Sequence, residues 1–144
     1  SYPPDRAPTR PRPEMTEEES VVGEYFTIKE FDCRCEQEYC PARPIVPHAD
    51  LIRRLDQLRA VLGRPVVITS GIRCPEWNFR KGGKPDSTHL TGMAADLSCP
   101  DSSQRWRMLK AAMDMDLFVR VGGGDTFIHV DVDPDKPQRV AWVY

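Results

Sequence analysis

The most regular stretch of the chain lies just before its middle, where leucines recur every three or four residues among arginines and other polar residues. The apolar positions are Leu51, Leu55, Leu58 and Leu62. This spacing places them on one face of an amphipathic helix. Asp50 is the predicted N-cap of this helix, and Gly63 is its predicted end.

A second helix is predicted to begin at Asp101, which forms a capping box with Gln104 three residues later. Its predicted apolar face consists of Trp106, Leu109, Ala112 and Met113. Because these residues recur at helical spacing, we expect Trp106 and its neighbours to pack in the core.

β-Branched and aromatic residues gather in short segments that predict strands. The segments are residues 25–28, 66–69, 126–132 and 139–144, and a further short strand that carries Asp96 is predicted at residues 93–98. Residues 71–92 show no sustained hydrophobic period and are predicted to form an irregular functional loop. The three glycines at residues 122–124 are predicted to form a turn. Short strands with two helices between them predict an α+β domain: a small, mainly antiparallel sheet with flanking helices.

The overall composition is that of a soluble globular protein, with 40% hydrophobic and 29% charged residues. The net charge is −2 and the basic residues are scattered, so no continuous surface for binding phosphates is expected. We therefore expect no nucleic-acid partner. No apolar run approaches the ~20 residues of a transmembrane helix, so no membrane span is expected. The cellular location stays open.

The first 24 residues differ in composition from the rest of the chain. Prolines alternate with arginines up to Pro13, and three glutamates follow at residues 17–19. Such a segment buries too little apolar surface to fold alone. We predict a disordered or extended tail at residues 1–24 and one domain at residues 25–144. A tail of this kind could attach the domain to proteins of a larger particle, such as a virion.

Two short segments carry the candidate chemistry. His89 and Asp96 lie seven residues apart in the segment STHLTGMAAD, and the segment DTFIHVDVD supplies His129. Two histidines and one carboxylate, with a fourth position open, form the ligand set of a catalytic zinc site. The sequence therefore predicts one catalytic zinc ion held by His89, Asp96 and His129.

Strand alternation extends this site to further residues. On the predicted strand, the residues that share a face with His129 are Asp125, Phe127, Asp131 and Asp133. Asp125 and Asp131 are therefore candidate general bases for the hydrolytic step. Arg73, at the start of the long loop, is a candidate to bind a substrate carboxylate or the developing oxyanion.

These residues resemble a known family. The segment from Ser87 to Asp96 fits the pattern S-x-H-x-x-G-x-A-x-D, and FIHVDV fits the second histidine motif of the M15 peptidases, the zinc D-Ala-D-Ala carboxypeptidase and endolysin group. The resemblance covers about residues 25–144 and is strongest to the short subfamily of phages and bacteria.

The resemblance implies a function and a fold. It implies zinc at the three predicted ligands, substrate contacts from Arg73 and Ser87, and cleavage of peptidoglycan stem peptides next to a D-amino acid. The implied fold is the small sheet with flanking helices shared with the hedgehog signalling domain. Many members carry the catalytic acid three residues before the second histidine, where this chain has Thr126. The base therefore stays open between Asp125 and Asp131.

Four of the five cysteines form a second candidate group: Cys33, Cys35, Cys40 and Cys74. They could close a tetrahedral structural zinc site, or they could be buried thiols or one or two disulfides. Cys99 stays unpaired in either case, because the cysteine count is odd.

Two functions follow from these observations. The first is a zinc peptidase, a carboxypeptidase or endopeptidase, that acts on bacterial cell-wall peptide. The second is a structural or binding module of a virion or other particle that has kept a weak or degenerate peptidase fold. Thr126 at the usual acid position and the proline-rich tail favour the second.

Overall fold

The leucine repeat forms the longest helix in the computed structural model, which describes residues 21–144. This helix, α1 (Ala49–Leu62), buries Leu51, Leu55 and Leu58 as predicted. It ends at Gly63 in the left-handed conformation, also as predicted. The predicted N-cap was wrong, because the cap is His48, whose Nδ1 accepts a hydrogen bond from the Asp50 N–H at 3.2 Å.

The strands form one five-stranded sheet and a separate two-stranded ribbon within the described part of the chain. The ribbon pairs β1 (Val21–Val22) with β2 (Phe26–Thr27). The sheet contains β3 (Ile68–Ser70), β4 (Ala94–Ser98), β5 (Arg120–Gly123), β6 (Phe127–Asp131) and β7 (Val140–Val143). Its strand order is β3-β4-β6-β5-β7, and the β5–β7 pair alone is parallel. The predicted mixed fold with a mainly antiparallel sheet is confirmed.

The register of β4 against β6 separates a core face from a polar face. Leu97 lies opposite Ile128, and both are buried in the hydrophobic core together with α1. Asp96 lies directly opposite His129, so the side chains of this pair share the other face of the sheet. Backbone pairing alone therefore brings together two groups that are 33 residues apart in the chain.

The second predicted helix is α3 (Ser102–Asp114), which begins as expected at Asp101 with its side chain accepting from the Gln104 N–H. Its buried face was predicted only in part: Ala112 is buried and Leu109 packs against the core as expected, whereas Met113 is 48% exposed. Trp106 is 63% exposed, whereas the buried residues of α3 are Met108, Ala111 and Ala112. These three residues lie roughly 120–160° around the helix from Trp106, so burying them turns the tryptophan toward solvent.

The long loop and the glycine turn also differ from the prediction. Residues 71–92 contain a short helix, α2 (Pro75–Arg80), and a 3₁₀ helix (Thr88–Thr91) that carries His89. Two of the three glycines at residues 122–124 belong to strand β5. A Cβ on Gly122 would lie 2.4 Å from Nε1 of Trp142, so this glycine makes room for the indole ring.

Residues 1–20 of the predicted tail lie outside the described residues, whereas its last residues include strand β1 of the ribbon; the tail at residues 1–24 and the domain boundary after it stay predictions. Among the helices that are described, none combines the length and the apolar character needed to cross a membrane.

The glycine that ends the 3₁₀ helix offers a matched test of local packing. Gly92 has φ 74° and a Cβ there would lie 2.7 Å from the Val46 carbonyl oxygen, whereas Gly63 has φ 63° with open space around it. We expect Gly63→Ala to cost about 1–2 kcal/mol of unfolding free energy from backbone strain. Gly92→Ala should cost a further ~1–3 kcal/mol from the clash with backbone. Urea unfolding measures both, and equal losses would contradict the packing.

Candidate metal centre

A cavity of about 680 Å³ opens on the polar face of the sheet. Its buried lining residues include His89, Asp96, His129 and Asp131. Exposed lysines line its outer part at residues 81 and 84. The cavity therefore combines a buried floor of titratable groups with an entrance of positive charge.

The structure brings the three predicted zinc ligands together. Oδ1 of Asp96 lies 3.2 Å from Nε2 of His89 and 3.0 Å from Nδ1 of His129. One donor atom from each residue lies within 4.8 Å of the other two. Strands β4 and β6 supply Asp96 and His129, and the 3₁₀ helix places His89 above them.

The remaining nitrogen of each histidine is fixed by an acceptor. Nδ1 of His89 lies 2.7 Å from the Gly71 carbonyl oxygen, and Nε2 of His129 lies 2.8 Å from Oδ2 of Asp131. Since a carbonyl or carboxylate oxygen accepts, these nitrogens carry the hydrogens. The two nitrogens that face Asp96 therefore present lone pairs.

Three acceptors thus converge on one point, which requires positive charge there. Burial raises the pKa of Asp96, but hydrogen bonds with His129 and His89 outweigh it and hold that pKa well below its usual range. Burial lowers the pKa of His129, but hydrogen bonds with Asp131 and Asp96 outweigh it and raise that pKa. A proton or a metal ion can supply the charge.

The donor set fits zinc. Two imidazole nitrogens and one carboxylate oxygen are a ligand set that zinc takes in catalytic sites, where a fourth position stays open for water. Hydrogen-bonded partners on the far nitrogens of the histidines are typical of such sites. Within the described residues no further Cys, His, Asp or Glu joins the group, so its open side faces the cavity.

Asp131 lies behind His129 with both oxygens engaged. Oδ1 accepts from Nε of Arg120 at 2.7 Å and from the Asp133 N–H at 3.2 Å, while Oδ2 contacts His129 and accepts from Oγ1 of Thr88 at 3.3 Å. The residue is 1% exposed. These contacts suit a group that orients His129 and leave no free oxygen for a proton from water.

The structure does not bring Asp125 to the cavity. It is exposed, is not among the lining residues, and lies in the turn before β6 begins at Phe127. Strand alternation therefore does not extend to this residue. The prediction did place Phe127, His129 and Asp131 on one face, and all three line the cavity.

Arg73 and Ser87, the candidate substrate-binding residues, both line the cavity. Nη2 of Arg73 lies 3.3 Å from Oδ2 of Asp96, and its Nε donates to Oγ of Ser70 at 3.0 Å. Oγ of Ser87 accepts from the His89 N–H at 3.3 Å and caps the 3₁₀ helix. Both side chains therefore also support the metal ligands.

Sequence reasoning missed part of the cavity wall. Trp142 and Tyr144 line it, and the Trp142 ring centroid lies 5.4 Å from that of His129. Trp142 in β7 and Tyr144 directly after it are two residues apart, a spacing that could have indicated a shared face. Arg120 was also missed, because a single buried arginine gives no signal until its partner Asp131 is known.

A buried His–Asp–His cluster at the floor of a cavity is typical of mononuclear metallohydrolases. A sequence model of the family described as Peptidase M15 matches residues 24–131, most of the chain. The chain therefore belongs to the peptidase M15 family, whose members are zinc-dependent peptidases. A comparison with curated proteins gave no match.

Proposed function

We propose that this chain is a zinc peptidase that cleaves peptidoglycan stem peptides next to a D-amino acid, with the hedgehog-like fold of the D-Ala-D-Ala peptidases. The observation that carries the proposal is the convergence of His89, Asp96 and His129 at the floor of a cavity, in a chain of the M15 family. In each histidine, the ring nitrogen that faces away from Asp96 is held by an acceptor, and this arrangement supports zinc as the bound ion.

When bound, zinc would supply an activated water and polarise the scissile carbonyl. The protein's own groups hold the parts in place. Asp131 and the Gly71 carbonyl fix the two imidazoles, so their lone pairs stay directed at the site. Arg73, itself held by Ser70 and Asp96, directs its charged guanidinium at the cavity, where it would bind the substrate carboxylate or the developing oxyanion.

The charge of the cavity wall supports an anionic peptide as substrate. The floor carboxylates Asp96 and Asp131 are already paired with Arg73 and Arg120. The outer part adds lysines at residues 81, 84 and 136, and the carboxylate of Asp86 offsets part of that charge. A stem peptide with a free terminal carboxylate would meet net positive charge at the entrance.

Two matched peptides test the substrate. One is an acylated peptide that ends in D-Ala-D-Ala, and the other has the same sequence ending in L-Ala-L-Ala; isolated peptidoglycan covers endopeptidase cleavage. With zinc present, we expect mass spectrometry to detect release of an amino acid or peptide from the D-peptide or from peptidoglycan. The L-peptide should release nothing. His89→Ala is the control and should release nothing. Cleavage of only the L-peptide would refute the substrate class, and no cleavage of any substrate would refute the peptidase.

A further inference from the structure

Four buried cysteines form a cluster that includes Cys74, the residue directly after Arg73. Cys33, Cys35 and Cys40 lie in the segment before α1, and Cys74 is the N-cap of α2. Their exposed fractions are 4%, 3%, 8% and 2%, and all four sulfur atoms lie within 4.8 Å of one another. We propose that these four cysteines hold a structural zinc ion. This proposal is independent of the peptidase function.

The distances fit a shared ion better than disulfides. A tetrahedral zinc site with Zn–S bonds of about 2.3 Å places its sulfurs about 3.8 Å apart. Sγ of Cys35 lies 3.5 Å from Sγ of Cys40, whereas a disulfide needs about 2.05 Å. A disulfide joins sulfurs in pairs and does not require four to meet at one point.

Backbone N–H groups point at two of the sulfurs. The Cys74 N–H donates to Sγ of Cys33 at 3.4 Å, and the Trp77 N–H donates to Sγ of Cys74 at 3.4 Å. Hydrogen bonds of this kind stabilise the thiolate form, which is the form that binds metal. These hydrogen bonds therefore support metal binding by Cys33 in the first segment and by Cys74 at the start of α2.

The surroundings match a site of net negative charge. Tyr39 and Trp77 pack against the cysteines. The guanidinium carbon of Arg80 lies 4.6 Å from the Tyr39 ring centroid, and Nζ of Lys81 lies 4.8 Å from that of Trp77. Four thiolates with one zinc ion carry two negative charges, and Lys81 would offset part of that charge, whereas Arg80 is already paired with Glu76 at 3.0 Å.

A metal at this site would also hold in place a segment that lacks regular secondary structure. Residues 32–47 contain no helix or strand, and the cysteine cluster is separate from the main hydrophobic core. A metal would join this segment to the start of α2, one residue after Arg73 and shortly before the cavity wall at residues 81–84. Four cysteine ligands leave zinc no open position, so the role is structural.

Metal content tests the proposal on the full chain, purified under reducing conditions with zinc and then dialysed. We expect two zinc ions per wild-type chain by elemental mass spectrometry. His89→Ala should retain only the zinc at the four cysteines, and Cys74→Ser should retain only the zinc at the His–Asp–His site. Cys99→Ser should retain both, since Cys99 is buried outside the cluster. A wild-type chain with at most one zinc, lost in His89→Ala, would overturn the proposal.

Cobalt keeps the test informative where Cys74→Ser fails to fold. Cobalt(II) bound by thiolates shows an intense near-ultraviolet charge-transfer band that imidazole and carboxylate ligands do not give. We expect this band in the wild type, in His89→Ala and in Cys99→Ser. Absence of this band in all three proteins would overturn the proposal. Disulfides among these four cysteines in protein purified under reducing conditions would also overturn it.

Discussion

Asp96→Asn is expected to abolish zinc binding at the His–Asp–His site and, with it, peptide hydrolysis. The substitution keeps the shape of the side chain but removes the charge that lies between Nε2 of His89 and Nδ1 of His129. The loss should exceed the roughly 10–100-fold that follows when only a hydrogen-bond partner of a metal ligand is removed. Competition with a zinc chelator measures the affinity.

The same variant should fold well without metal. An Asn amide can direct its NH₂ group at the two histidine lone pairs while its carbonyl oxygen keeps the contact with Arg73. It would therefore satisfy acceptors that in the metal-free wild type face a carboxylate. We expect the thermal midpoint of metal-free Asp96→Asn to equal or exceed that of the metal-free wild type.

Asp125→Asn is the matched control, because this aspartate is exposed and lies outside the cavity. It should keep zinc affinity and hydrolysis unchanged. Loss of hydrolysis in Asp125→Asn with zinc retained would instead identify Asp125 as the base. Tight zinc binding by Asp96→Asn, at a site still lost in His89→Ala, would contradict the ligand assignment.

The second large effect is expected for Asp131→Ala, which should destabilise the fold and weaken zinc binding together. It leaves Arg120, which is 8% exposed, without its carboxylate partner. Removing one partner of a buried ion pair costs about 3–5 kcal/mol. It also removes the acceptor at Nε2 of His129, which should lower zinc affinity roughly 10–100-fold.

A double variant separates these two effects. Asp131→Leu combined with Arg120→Leu removes both buried charges, and such replacements are often neutral for stability. The double variant should therefore recover most of the unfolding free energy in urea while zinc affinity stays low, since His129 still lacks its acceptor. Recovery of zinc affinity along with stability would show that Asp131 acts only through folding.

Local pattern predicted the elements whose cause is local. The leucine repeat of α1 and the β-branched segments of β3 and β6 were visible because helix and strand periodicity are properties of neighbouring residues. The three candidate zinc ligands were found the same way, through two short motifs. The His48 cap was missed because it depends on the exact backbone conformation at the start of α1.

What the sequence did not predict depends on distant packing. Gly122 has no room for a side chain because Trp142, its neighbour on β7 and twenty residues later in the chain, occupies the space where a Cβ would lie. Helix α2 has only six residues, too few to show a period, although Pro75 at its start was a signal. The cysteine spacing left metal and disulfide open, because only the fold brings Cys74 to Cys33.

The most direct test of the zinc peptidase assignment is a titration of metal-free protein with zinc while hydrolysis of the D-Ala-D-Ala peptide and of isolated peptidoglycan is followed. We expect no hydrolysis before zinc is added, and then a rate of hydrolysis that rises to a plateau as the His–Asp–His site fills. For Asp96→Asn, the rate should not rise at all. Hydrolysis by the metal-free protein, or an equal plateau for Asp96→Asn, would contradict it.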